Sequence, residues 1–331
     1  MKVVITGGAG FIGRRLARQI LAKGSLAGPN GAQQDITKLV LFDVAEAQGF
    51  DDSRVEAVAG DVSDAAQVAA VIGSDTGSIF HLAAIVSAQA EEDYDLGMRI
   101  NLDGTRHVLA AARALPHAPR LVFASSVAVF GGDDLPDVVT DDTPITPLTS
   151  YGAAKACGEQ LVSDMSRKGF IDGRSLRLPT ISVRTGQPNR AASTWVSSMV
   201  REPLCGVDMV VPVSPESKMA VLSPRKVVDA FITAHEAEAE KIGHWRSMVL
   251  SGITVSAGEI AEAVARNKGN RKVGEIRFEP DPAIQKIVDG WPGGCRGDRA
   301  EALGIKVDGS IDEIVRYFIE DDLDNQMQGK F

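Results

Sequence analysis

The chain has 331 residues, 44% of them hydrophobic, enough to bury a sizeable core in one large domain or two intimate ones. A formal net charge of -9 argues against a nucleic-acid surface or an anionic membrane as partner, since both need clustered Lys and Arg, and points to small ligands. Cys157, Cys205 and Cys295 match neither a disulfide framework nor a zinc site. With no leader-like segment and no apolar run of bilayer length, the expected compartment is cytoplasmic.

An apolar strand, Val3 to Thr6, enters a glycine cluster and then a helix predicted over Arg14 to Ala22, with Leu16, Ile20 and Leu21 on one face. A strand, a glycine turn and a helix start in this order suit a dinucleotide. The turn lets a pyrophosphate approach bare N–H groups, and the helix points its N-terminus at the negative charge. Tight turns without a ligand use the same letters, so the motif needs partners downstream. Two registers fit, Gly8-x-Gly10-x-x-Gly13 and Thr6-Gly7-x-x-Gly10-x-x-Gly13.

Gly24 to Lys38 reads as an inserted surface loop, followed by a strand Leu39 to Asp43. Asp43 stands 30 positions after Gly13, against about 20 in the usual dinucleotide unit, and the inserted loop accounts for the excess. A carboxylate there accepts from both ribose hydroxyls and repels a 2′-phosphate, so NAD is the expected cofactor rather than NADP. A third strand, Val55 to Val58, leads to Asp61-Val62, with Ser63 as the cap of a helix Asp64 to Ile72. Ser78 to Ala84 is the fourth strand. His81 reads as a packed strand-end histidine, with no second ligand at metal spacing, and no metal is assigned. A long helix from about Glu91 to Leu115 and a strand Arg120 to Ser125 follow. Alternating strands and helices imply an α/β fold with a doubly wound parallel sheet, whose ligands sit beyond the carboxyl ends of the strands.

Tyr151 and Lys155, four apart, share one face of a helix predicted over Ser150 to Arg167. Tyr is a poor base at its free pKa of about 10, and ionising it near pH 7 takes about 4 kcal/mol of differential stabilisation. A neighbouring Lys and a cationic ring can supply that. Phe123 to Gly131, with Ser125-Ser126, precedes the pair.

The glycine turn, Asp43, Asp61-Val62, the run His81-Leu82-Ala83-Ala84, Asn101, Ser126 and Tyr151-x-x-x-Lys155 together resemble the extended short-chain dehydrogenase/reductases. The resemblance spans nearly the whole chain, densely in the first half. It implies Ser126, Tyr151 and Lys155 as the catalytic residues, with Lys155 lowering the tyrosine and holding the nicotinamide ribose. It implies cofactor contacts from Gly7, Gly10, Phe11, Ile12, Gly13, Asp43, Asp61, Val62, Leu82, Ala83, Ala84, Asn101, Tyr151, Lys155 and Pro179. Phe130 stands where the family usually has Tyr.

Further along come a strand Arg174 to Leu178, a helix Pro224 to Ala239, a strand Met248 to Gly252 and a helix Ser310 to Ile319. The expected division is a Rossmann domain of 1–178 plus 223–253, with a smaller substrate lobe of 179–222 plus 254–331. Most family members act on nucleotide-sugars as epimerases or dehydratases. Thr180 stands where those enzymes typically place an Asn, however. Leu178 to Arg184, with Asn189 to Ser193 and the Gly24 to Lys38 insertion, resembles a branch of the family that oxidises a four-carbon sugar acid, D-erythronate or a close tetronate, at C2 with NAD. Ser126, Tyr151 and Thr180 would then meet substrate. Arg184, with Arg190 as the fallback, would pair its carboxylate, solvated surface charge being the commoner fate of Arg. A cofactor-binding regulator without turnover is the third reading, and the intact Ser126, Tyr151 and Lys155 argue against it. The helices Glu91 to Leu115 and Ser150 to Arg167 could form a homodimer interface as in relatives, or pack on the subunit's own sheet.

Overall fold

The computed structural model describes residues 1–187 and 193–329. Its centre is a seven-stranded sheet built from β1 (Lys2–Thr6), β2 (Lys38–Asp43), β3 (Val55–Ala59), β4 (Thr76–His81), β5 (Arg120–Ser126), β6 (Asp172–Leu178) and β7 (Ser247–Val249). The order across the sheet is β7-β6-β5-β4-β1-β2-β3, and every pairing is parallel. β1 is buried along its whole length, as a central strand covered on both faces must be. The order reverses between β1 and β4, so their carboxyl ends diverge and leave a crevice. Thr6, Asp43, His81, Ser126 and Leu178 end their strands at this rim.

Eight helices carry the packing: α1 (Phe11–Lys23), α2 (Ala65–Val71), α3 (Gly104–Arg113), α4 (Ser150–Arg167), α5 (Thr194–Leu204), α6 (Pro224–Glu236), α7 (Ala257–Asn267) and α8 (Ile311–Asp321). One face of the sheet is covered by Leu16 and Ile20 of α1 with Val227 and Phe231 of α6. The other is covered by Val68 of α2, Val108 and Leu109 of α3 and Val162 of α4. A separate apolar core joins Val196, Met199 and Val200 of α5 to Ile260 and Val264 of α7 and Ile314 and Phe318 of α8. A three-stranded sheet, Thr180–Ile181, Lys218–Leu222 and Ile253–Ser256, lies beside this core.

The C-terminal residues reach back to both parts. Arg15 of α1 pairs with Asp322 and lies 3.6 Å from Asp321. The Gln326 side chain accepts from Gly186 N at 2.8 Å and donates to Gly186 O at 3.4 Å. Among the described residues no helix is long and apolar enough to cross a membrane.

Several local expectations need correction. The 24–38 segment is a hairpin, Ser25–Ala27 against Gln33–Asp35, with Leu26, Ala27 and Ile36 buried. Glu236 anchors it by accepting from Ala27 N and Gln33 Nε2. The cap of α2 is Asp64, which accepts from Ala66 N and Gln67 N; Ser63 instead closes a turn on Asp61. The long helix Glu91 to Leu115 is interrupted. Ser87–Glu92 ends at Asp93, whose φ of -129° breaks the helix and whose side chain caps a new start at Leu96 N. A π-helical turn, Met98–Asp103, then precedes α3. α6 stops at Glu236 because Ala237 is extended, and the buried guanidiniums of Arg120 and Arg174 take carbonyls of residues 234, 235 and 237. β5 runs one residue further than expected, so Ser126 rather than Ser125 closes it.

Candidate active site

The glycine turn is shaped by close approach. Gly7 takes φ +73°, and a Cβ there would lie 2.8 Å from Ala83 N. A Cβ on Gly13 would sit 2.1 Å from Gly7 O, so only glycine lets α1 come this near β1. Gly10 is the N-cap of α1 with no side-chain cap and no acidic residue in the first turn. The start of the helix, at Phe11 and Ile12, is thereby left to an anion. Asp43 stands beside this turn, its carboxylate accepting from Ala9 N at 3.0 Å and Val44 N at 2.7 Å. The cradle and the adjacent carboxylate fit a dinucleotide's pyrophosphate and ribose.

The other residues expected on the cofactor side follow the ends of β3 and β4 or lie in the π-helical turn before α3. Asp61 is fixed by Ser63, and buried Val62 packs so tightly that a Cβ on Gly104 would be 2.8 Å from it. Leu82 N donates to Thr6 O, and Ala83 N to Thr6 Oγ1 at 3.4 Å. Ala84 follows them. Asn101, in the π-helical turn, holds both the N–H and the carbonyl of Ile85 through its amide, so its part is to fix the segment after β4. His81 is a packed histidine as read, bridging Thr6 and Thr105, with burial pushing its pKa down to about 3.

Thr149 caps α4 by accepting from Gly152 N, which sets Tyr151 and Lys155 in the first turns against β5. Gly152 is required here, because a Cβ would meet Ala128 O at 2.1 Å. Ser126 caps the short turn Val127–Val129 by accepting from Ala128 N at 3.1 Å. Lys155 is 2% exposed; its Nζ donates to Ala124 O at 2.8 Å and lies 5.6 Å from the Tyr151 ring centre. Burial lowers it to about 8, opposed by the charge of Glu159.

Burial holds the Tyr151 phenol above its ordinary range, while the Arg184 guanidinium and the Ser126 hydroxyl pull it down. Arg184 is thus a second cation that acts on the phenol, beside Lys155 beneath the ring. Arg184 is held through Nε to Ile181 O at 3.3 Å and through its backbone N–H to Ser197 Oγ at 3.1 Å. Thr180 pairs in the small sheet, and Pro179 is buried between it and β6. Arg190 lies outside the described residues.

Two further residues were not singled out by sequence. Glu159 and Arg177 form a buried pair, 0% and 1% exposed, directly behind Ser125 and Lys155. The available signal was the spacing: Glu159 continues the Tyr151, Lys155 series by four.

Residues 3–246 match the NAD dependent epimerase/dehydratase family. A D-erythronate dehydrogenase of Cupriavidus necator is 50% identical over 321 residues, covering 97% of this chain and 98% of that protein. Another, of Haemophilus influenzae, is 41% identical over 324 residues, covering 98% and 100%. A crystal structure described as the nucleoside-diphosphate-sugar epimerase from Agrobacterium tumefaciens superposes with a TM-score of 0.91 at 40% identity, over 99% of this chain and 96% of that one. The match to the family and these full-length likenesses agree with the rim geometry, and this chain is accordingly an enzyme of the NAD-dependent epimerase/dehydratase family, within the extended short-chain dehydrogenase/reductases.

Proposed function

We propose that this protein oxidises the C2 hydroxyl of a small sugar acid, D-erythronate or a close tetronate, to the 2-keto acid with NAD. The observation that carries the reading is that the charge of the half-buried Arg184, held at Ile181 and Ser197, acts on the Tyr151 phenol, as does the Ser126 hydroxyl. In a 2-hydroxy acid the hydroxyl and the carboxylate sit on adjacent carbons. A base and a planar cation near each other would serve it, and Tyr151 with Arg184, whose charges interact, are suited to those parts.

Bound NAD supplies the hydride acceptor for the hydrogen on C2. Ser126 donates to the reacting oxygen and orients it. Tyr151, ionised, takes the hydroxyl proton as the carbonyl forms. Arg184 pairs the C1 carboxylate and so selects acids over polyols. Lys155 keeps a fixed positive charge beneath the phenol.

The two relatives named D-erythronate dehydrogenase support the substrate class. A nucleotide-sugar epimerase is the second reading, favoured by the name of the Agrobacterium structure. Thr180 argues against it, since a hydroxyl stands where an amide would face a sugar-phosphate. The deciding experiment follows absorbance of NADH with tetronates and UDP-sugars side by side. Steady NADH formation with a tetronate is expected. Interconversion of UDP-sugars without net NADH, and silence toward every tetronate, would replace this reading with the epimerase.

A further inference from the structure

We propose that Glu159 is a positioning residue for this chemistry, a fixed buried carboxylate that holds Lys155 as an ammonium beneath Tyr151. The proposal rests on the roles given above to Tyr151 and Lys155.

Tyr151, Lys155 and Glu159 follow one another at intervals of four on α4, which stacks them on one face about 5–6 Å apart at Cβ. Both oxygens of Glu159 are engaged. Oε1 accepts from Ser125 Oγ at 2.5 Å and Arg177 Nε at 3.0 Å, and Oε2 accepts from Arg177 Nη2 at 2.8 Å. The carboxylate can neither rotate away nor reach water. Ser125 directly precedes Ser126 on β5, so one strand end ties the Glu159 cluster to the catalytic hydroxyl.

The surroundings of Lys155 explain why it needs this support. β5 offers the Phe123 ring, 4.8 Å from Nζ, and the Ala124 carbonyl, neither of them charged. β4 offers His81, kept neutral by burial. Arg177 on β6 and Arg184 beyond it are cations, the first neutralised by Glu159 itself and the second held at Ile181 O, with its charge felt by Tyr151. Glu159 is the group that favours the ammonium against burial. Stability alone does not call for the pair, since a buried ion pair replaced by apolar residues is often neutral or stabilising.

Lys155 loses its charge as pH rises, so removing the negative charge of Glu159 moves that loss to lower pH. The test is the pH dependence of NADH affinity, read by fluorescence titration, which needs Lys155 but no substrate. In Glu159→Gln the alkaline fall in affinity should begin about one pH unit or more lower than in the unmutated protein, and in the double variant Glu159→Met with Arg177→Met it should also begin lower, though by less, because the opposing charge of Arg177 goes too. Glu159→Asp, which keeps the charge, should restore most of the range, and Arg177→Met, which leaves Glu159 unneutralised, should move the fall upward. The double variant retains no buried unpaired charge and keeps the test open if the single variants do not fold. A folded double variant whose alkaline fall coincides with that of the unmutated protein would overturn the proposal. Failure of the tetronate reading shows separately, as no NADH from any sugar acid, and leaves this titration intact.

Discussion

Arg184→Met separates the two tasks proposed for this guanidinium, pairing the substrate carboxylate and lowering the Tyr151 phenol. Methionine keeps the apolar stem and removes the charge. A charge-assisted bond to the substrate carboxylate is worth about 1.5–3 kcal/mol, so KM for the acid should rise roughly 10- to 150-fold. An uncharged polyol analogue never forms that bond, and its KM should hardly change. The second effect concerns the base. Arg184 pulls the Tyr151 phenol down, so without it the phenol moves up, and oxidation, which needs the phenolate, should begin at higher pH with both substrates. The assay is initial NADH formation across pH with the tetronate and with the polyol. Equal KM increases for acid and polyol would show that Arg184 does not pair a carboxylate. An unmoved acid limb would show that it does not act on Tyr151.

Tyr151→Phe should lower turnover by roughly a hundredfold or more while NADH still binds, because general acid–base catalysis contributes about 10²–10⁴-fold; near-normal turnover would remove Tyr151 from the mechanism. Asp43→Ser should narrow the preference for NAD over NADP, measured as the ratio of kcat/KM values, since the carboxylate beside the glycine turn repels a 2′-phosphate. Burial also shapes stability against acid. His81 and His235 are held at about 3 and about 4 in the folded protein, below the ordinary value of 6.5, so the unfolded chain binds their protons more readily. Their contribution is complete above about pH 6.5 and is lost as pH falls toward 4, and Tm should drop over that window. Asp322, raised to about 6, acts in the opposite direction and reduces the drop. A Tm that stays level between pH 7 and pH 4 would contradict this account.

Where a function depends on spacing along one element, the residues announced it. The glycine turn and the Tyr151, Lys155 pair are local patterns, and α4 has the bounds expected of it, Ser150 to Arg167. The all-parallel sheet followed from strand and helix alternation. What depended on contacts across the chain was not legible. The 24–38 hairpin is too short and polar to signal itself, and it is fixed by Glu236, some two hundred residues away, and by Leu26 and Ile36 packing in the core. The helix break at Asp93 looks in sequence like any polar helix position. Glu159 and Arg177 resemble surface charges until the fold closes over them, since charged residues are rarely fully buried unless paired. The charge of Arg184 acts on Tyr151 across 33 positions of chain, which no local pattern encodes.

The C-terminal residues tie together what the active site keeps apart. Arg15, held by Asp321 and Asp322, belongs to α1, the helix that starts at the glycine turn, and Gly186, held by Gln326, lies two residues after Arg184. One short stretch of chain therefore braces the glycine-turn helix and the segment that carries Arg184 at once. Changes in it act on two affinities through a single support, so losses in NAD binding and in substrate binding caused by such changes are correlated consequences of one slackened brace and do not add as independent effects.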